Sequence, residues 1–250
     1  ILSLAYEAFK VNYDVTSIDQ HKRITEIHQP DGKPDLLQQV EHGVLSVVGA
    51  YRSLSRLYRG IICNDLRQYV MLGDGAAMTD NVIGNKDDRW VFTEDNPSRE
   101  LTTAAHLAAA SRVLKGFNDT LSMQALTCAE ELYEVTQVNP GCRSAKIHAA
   151  TELYLTTGKE KYKNHLLSET EFIAANIDRI GWFIGRAEKK MNRTDFSQAI
   201  QRAMVELDAK IKEQSSETPY GVPYRPYIWG AGWDIQEFGF KHYFLYTAYP

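Results

Sequence analysis

The chain has 250 residues, 44% of them hydrophobic and 24% charged, with a net charge of −4 at pH 7. That is ordinary for a globular protein and is enough chain to bury a large core. It excludes the basic surface a nucleic-acid binder needs, and no apolar run approaches the ~20 residues of a membrane-spanning helix.

In chain order the pattern is almost entirely helical. Residues 1–6 read as part of an apolar helix, and residues 246–250 also look interior to a domain. Boundaries usually fall in polar linkers, so both ends are expected to be cuts inside one domain. No signal-peptide pattern is visible. Residues 35–58 place Leu37, Val40, Val44, Val47, Tyr51, Leu54 and Tyr58 on one broad stripe, between Pro34 and Gly60, as an amphipathic helix does. Residues 64–95 then read as a long loop holding Trp90 and the acids Asp74, Asp80, Asp87, Asp88, Glu94 and Asp95.

A second helix opens at Asn96-Pro97, is dense in alanine and stops near Gly116. A third follows Asn118-Asp119, and a fourth covers 143–157 before Gly158. Ser168 with Glu171 reads as a capping box for a fifth. The sixth covers 177–191, the seventh 194–211, and 212–226 reads as a loop. A last helix begins near Trp229, in which Trp233 is expected to pack in the core as Trp182 does. No convincing alternating strand appears, so the fold class is all-α, a bundle or toroid.

Several chemistries are excluded by missing motifs: no G-x-S-x-G, P-loop, G-x-G-x-x-G or H-E-x-x-H occurs. Cys63, Cys128 and Cys142 have no metal-ligand spacing and are read as buried thiols. The acids of the 64–95 loop could act as an acid/base pair on a glycoside or ligate calcium. A solvated loop with Asx-turns explains them as well. Trp90, and the cluster Tyr220, Tyr224, Tyr227 and Trp229, sit where loops meet helices. Such rings can stack on sugar C–H faces, although packing explains most aromatics.

Four segments in order resemble glycoside hydrolase family nine, the cellulase family. They are Asp87-Asp88-Arg89-Trp90 through Glu94, Glu100 through Val113, Arg143 through Tyr162, and Tyr227-Ile228-Trp229-Gly230-Ala231-Gly232-Trp233. Residues 30–35 and 41–43 resemble a Bacteroidetes-like branch. The resemblance implies part of an (α/α)6 barrel, with residues 1–250 as a central segment of one catalytic domain. It implies inverting hydrolysis of β-1,4-glucosidic bonds in cellulose or a related β-glucan. The catalytic Asp and Glu of the family fall outside the matching segments, so no catalytic residue is assigned.

By the same resemblance Trp90 and Trp229 are sugar-stacking positions, with Tyr227 beside them. Asp88 falls near a sugar-contacting His of relatives, His148 near an aromatic groove position, and Trp233 where some relatives have Arg. No cofactor is implied; the family admits a structural calcium, for which no ligands are assigned here. The partner is a β-glucan polysaccharide or oligosaccharide, and the location secreted, periplasmic or at the cell surface. A non-catalytic glycan-binding relative, an exo-acting, xyloglucan- or glucosaminide-directed member, and a toroidal polysaccharide lyase remain open alternatives. A barrel cut open at both ends exposes apolar helix faces, so residues 1–250 alone are expected to be marginally stable or to aggregate. A sharp, reversible thermal melt of the isolated segment contradicts that expectation.

Overall fold

A computed structural model of the chain describes residues 1–10, 13–63, 82–84, 89–217, 219, 221, 223 and 229–250. The chain is all-α in class, with α1 (Leu2–Phe9), α2 (Asp35–Leu54), α3 (Pro97–Leu114), α4 (Asp119–Val135), α5 (Arg143–Thr157), α6 (Glu160–Ser168), α7 (Thr170–Ala175), α8 (Ile177–Met191), α9 (Thr194–Ser216) and α10 (Ala231–Ala248). Among the described residues, four short strands, β1 (Thr16–Asp19), β2 (Ile24–Ile27), β3 (Tyr58–Cys63) and β4 (Arg89–Thr93), form two antiparallel pairs, β1 with β2 and β3 with β4.

The chain divides into two compact units. The first comprises residues 1–96 and 113–128. Its centre is α2, whose Leu37, Val40, Val44, Val48 and Tyr51 are buried at helical spacing. The Asp35 carboxylate, in the first turn of α2, accepts from the backbone N–H of Val15 and Thr16 at 3.2 Å. A negative group at a helix start is favoured by the helix dipole, and here it also ties down the start of β1, which precedes α2 in the chain. Gln38, 1% exposed, donates to Asp31 at 2.8 Å, and its backbone oxygen accepts from Gln20 at 2.9 Å. Across β3 and β4, Arg59 pairs with Glu94 at 3.2 Å.

The second unit comprises residues 97–112 and 129–250. Leu101, Ala104, Ala105 and Ala108 of α3 are fully buried, as are Ile147, Ala149, Ala150 and Leu153 of α5. Alanine at these positions lets helix backbones approach closely, while each buried Leu or Ile contributes about 1.5–3 kcal/mol. Helix α8 packs on α5, α9 and α10. Its Gly181 and Gly185, one turn apart, form the seam with α10. A Cβ on Gly185 would lie 2.3 Å from Ala248 Cβ, and one on Gly181 2.5 Å from a Leu245 methyl. The end of α5 is closed by Gly158 in the left-handed region (φ 70°), whose N–H reaches the Tyr154 carbonyl. Lys190 donates to the carbonyls of Tyr154 and Leu155 at 3.2 and 3.0 Å, satisfying acceptors that a helix C-terminus leaves open.

Several expectations need correction. The stripe over 35–58 ends as a helix at Leu54, where Ser55 turns left-handed (φ 53°), and Tyr58 starts a strand. Trp90 lies on β4, which the long-loop reading of 64–95 missed. A five-residue strand whose partner lies some 30 positions away gives no local period long enough to read. Ser168 does not cap a helix: it ends α6, which was not anticipated, and its hydroxyl donates back to the His165 carbonyl. Helix α9 runs on to Ser216, and α10 begins at Ala231, after Gly230 in the left-handed region (φ 78°). Cys128 and Cys142 are buried; the Cys63 side chain lies outside what is described.

The α8–α10 seam makes a specific prediction. Gly185→Ala forces the two backbones apart and costs about 1–3 kcal/mol, as overpacking does. Gly43→Ala, inside α2 with open space around its Cβ position, gains up to about 1 kcal/mol from helix propensity. Thermal melts of the two variants should move in opposite directions; a Gly185→Ala melt equal to that of the parent contradicts the tight seam.

Candidate functional site

Two kinds of feature stand out in the second unit: bare tryptophans at the start of α10, and a buried charge cluster beneath an aromatic layer. Trp229 is 88% exposed and Trp233 80%. They flank the Gly230 turn, where the Trp233 N–H closes on the Gly230 carbonyl at 2.8 Å. The positive φ of Gly230 lets the chain enter α10 abruptly, so both indoles stand at the helix start.

Trp233 is therefore not the core residue expected from its spacing. It is in helical phase with Phe240 and Phe244, but among the described residues burial on α10 begins only at Phe244. Phase predicts the face of a helix and not how far along it the cover extends. Trp182 is the packed one. Its ring meets His148, Phe183 and Phe240 edge-on, with centroids 5.1–5.6 Å apart.

His148, read as a groove position, lies inside this packing. Its ring stacks on Phe183 at 4.3 Å and 15°, and its side chain is only 13% exposed. The Nε2 atom stands 3.9 Å from a Glu152 carboxylate oxygen, one turn on. Burial lowers the His148 pKa to about 4, against the opposing pull of Glu152. At neutral pH its ring is uncharged.

Glu152 was not singled out from the sequence, yet the ion pairs of this region meet on it. Its side chain is 3% exposed. One carboxylate oxygen accepts from Arg112 of α3 at 2.9 Å and the other from Arg186 of α8. Arg112 also donates to the Thr156 hydroxyl at 2.7 Å. Burial by itself would raise the Glu152 pKa; the charges of Arg186 and Arg112 outweigh it and hold the group below its ordinary value. The signal was present as charged residues at otherwise apolar positions, in Ala-Ser-Arg112-Val, Thr-Glu152-Leu-Tyr and Ile-Gly-Arg186-Ala. His106, whose pKa burial also lowers, faces His148 edge-on with ring centroids 6.1 Å apart.

In the first unit Trp90 is 61% exposed on β4, beside Val91 at 45% and Phe92 at 48%. Of the remaining candidates, Asp88 and Tyr227 lie outside the described residues, as do Asp74, Asp80 and Asp87 of the acid-rich loop. Glu94 is described and is occupied by Arg59. Among the described residues no group of three or more His, Cys, Asp or Glu side chains could hold a metal ion. Among them also, no helix is long and apolar enough to cross a membrane.

The sequence matches the family model of glycosyl hydrolase family 9 over residues 3–233. Three solved structures share its fold. A metagenome-derived family 9 endoglucanase is 16% identical with a TM-score of 0.63, over 98% of this chain and 47% of that one. A zinc-binding triple mutant of the family 9 endoglucanase J30 is 16% identical with a TM-score of 0.65, over 98% and 48%. A Bacteroides ovatus family 9 protein is 17% identical with a TM-score of 0.55, over 90% and 45%. The chain thus spans about half the length of each. At such identities the likeness shows the fold, that of an (α/α)6 barrel enzyme. No curated protein matches the sequence.

The His148 environment gives a signed pH dependence. Unfolded, the imidazole protonates near its model value of 6.5; folded, it does so only near 4. Between those values the unfolded chain binds the extra proton, so stability falls as pH is lowered, by up to ~3 kcal/mol for this group. Glu152, held ionised in the fold, loses its contribution in the same direction at lower pH. His148→Phe should flatten the fall in melting temperature between pH 6.5 and 4; an unchanged slope contradicts this assignment.

Proposed function

The chain belongs to glycosyl hydrolase family 9, and from that membership we propose that it carries part of the glycan-binding face of an enzyme hydrolysing β-1,4-glucosidic bonds. The observation that supports the sugar-binding part is the bareness of Trp229 and Trp233, 88% and 80% exposed at one helix start. Two neighbouring indoles in water forgo a large hydrophobic gain. A pyranose ring offers them an apolar C–H face while its hydroxyls stay hydrated, which suits a polymer of equatorially substituted glucose. Trp90, 61% exposed on β4, is proposed as a further stacking residue, and Asp88 and Tyr227 as glucan contacts on the family resemblance alone. His148 is buried too deeply to present its ring to a polymer; its ring packs against Phe183 and Trp182 of α8.

The chemistry proposed is inverting. One carboxylate activates a water on one face of the sugar, and a carboxylic acid ~6.5–9.5 Å away protonates the leaving oxygen. Neither role is given to an acid of this chain. Substrate would be met outside the cell, in the periplasm or at the cell surface. The binding face and the carboxylate pair have separate signatures in kinetics, since stacking residues away from the bond cleaved act mainly through KM.

Trp229→Ala and Trp233→Ala, made in the full-length protein, should each weaken binding of cello-oligosaccharides by about tenfold, near the value of one aromatic contact. Their melting temperatures should stay within a degree or so of the parent, as expected for exposed sites. Parental affinity in both variants would remove the tryptophans from the site. Absence of any β-glucan binding or hydrolysis by the parent would remove the function.

A further inference from the structure

Asn-x-Ser/Thr is the acceptor pattern for an N-linked glycan, provided that the middle residue is not proline. The chain holds the pattern three times, at Asn96-Pro97-Ser98, Asn118-Asp119-Thr120 and Asn192-Arg193-Thr194. Proline removes the first. The structure separates the other two.

Asn118 is already in use. It is half-buried just ahead of α4, and its amide donates to Glu41 at 2.7 Å. Its side-chain oxygen accepts the Leu121 N–H at 3.0 Å, as the N-cap of a helix does. A sugar on that amide nitrogen would crowd out Glu41 and disturb the cap.

Asn192 is placed differently. It ends α8 in the left-handed region (φ 50°, ψ 54°), where its N–H closes on the Glu188 carbonyl at 3.2 Å. After glycine, asparagine is the residue that takes this cap most often. The cap accounts for an asparagine here, and not for the threonine two positions on. Asn192, Arg193 and Thr194 are all exposed. Among the described residues, none forms a hydrogen bond with the Asn192 carboxamide or the Thr194 hydroxyl. Arg193 lies between them in extended backbone (φ −122°, ψ 110°), and its guanidinium turns to Asp195 at 2.6 Å. Both groups that define the pattern thus face water at the corner between α8 and α9.

We propose that Asn192 is an N-glycan acceptor of the folded chain and that Asn118 is not. The donor is an oligosaccharide carried on a polyprenyl diphosphate, which an exported protein meets at an oligosaccharyltransferase. The Asn192 Nδ2 bonds to the anomeric carbon of the first sugar. The bond from that carbon to the diphosphate oxygen breaks, and its electron pair leaves with the polyprenyl diphosphate. One Nδ2 proton passes to a base of the transferase, and nothing is oxidised or reduced.

The attached glycan stands clear of the exposed tryptophans. Gly181 meets Leu245 and Gly185 meets Ala248, so α8 and α10 run in the same direction. Trp233 lies in the first turn of α10 and Asn192 closes α8. They therefore sit at opposite ends of the helix pair, about 30 Å apart at the α-helical rise.

The test uses the full-length protein, made in a host without N-glycosylation, folded and purified. It is incubated with a purified oligosaccharyltransferase and its lipid-linked oligosaccharide, and transfer is read by intact mass and peptide mapping. One glycan per chain is expected, on Asn192. Asn192→Gln and Thr194→Ala should lose it, whereas Thr194→Ser should keep it. A synthetic peptide of residues 188–198 reports that the transferase is active. Cello-oligosaccharide affinity should change by less than about twofold on modification.

Transfer to the peptide but not to the folded protein overturns the site, and so does transfer to Asn118 of the folded protein. A loss of cello-oligosaccharide affinity on modification overturns the placement away from the tryptophans. The transfer readout does not depend on glucan binding, so failure of the glycan-binding reading leaves the Asn192 result intact.

Discussion

The second unit depends on one buried carboxylate. Glu152, in the middle of α5, is held between Arg112 of α3 and Arg186 of α8. Burying an ion is costly, and such clusters add little net stability over well-packed apolar residues. Their effect lies in what they forbid. Removing one partner strands charge in a dry environment at about 3–5 kcal/mol, so α3, α5 and α8 have one register in which the charges are satisfied. Thr156 tightens it, lying within hydrogen-bond reach of both the Ala108 carbonyl and the Glu152 carbonyl.

Function follows from that register by a short path. Helix α8, placed by Arg186, presents Gly181 and Gly185 to α10, and the missing side chains bring Leu245 and Ala248 close. With the C-terminal half of α10 fixed in this way, its first turns project beyond the buried layer, and Trp229 and Trp233 stand bare there. The rings of His148, Phe183, Trp182 and Phe240 pack in a chain of contacts from α5 through α8 to α10. An uncharged His148 suits it: burial penalises a cation at that point, and Arg186 would repel one, against the pull of Glu152.

The sequence made the helices legible wherever apolar spacing was long. Helix α2 follows from its stripe, α3 from its Asn96-Pro97 start and alanine content, and the ends of α3 and α5 from Gly116 and Gly158. The strands were not legible, because β3 and β4 are short and pair across a wide gap in sequence. Order and spacing of the Trp90, Ala-rich, Leu-Tyr and Trp229 segments carried the family. The site was read less well. Spacing gave the phase of Trp233 correctly but could not say that the helix start would be uncovered. The family resemblance placed His148 near a groove, whereas its neighbours on α8, Phe183 and Trp182, pack against its ring. Glu152 was overlooked because a single carboxylate in a helix is ordinarily solvated, and only tertiary contact with two arginines shows otherwise. A fold hosts many functions, so the glycan reading stands on the tryptophans and the family together.

The most direct test is an NMR titration of the full-length protein with a non-cleavable cellohexaose analogue, observing the assigned indole N–H signals. Shifts at Trp229 and Trp233 that saturate together, with Trp182 unmoved, are the predicted result. Saturable binding that leaves both of those signals in place and shifts only Trp182 would contradict the account.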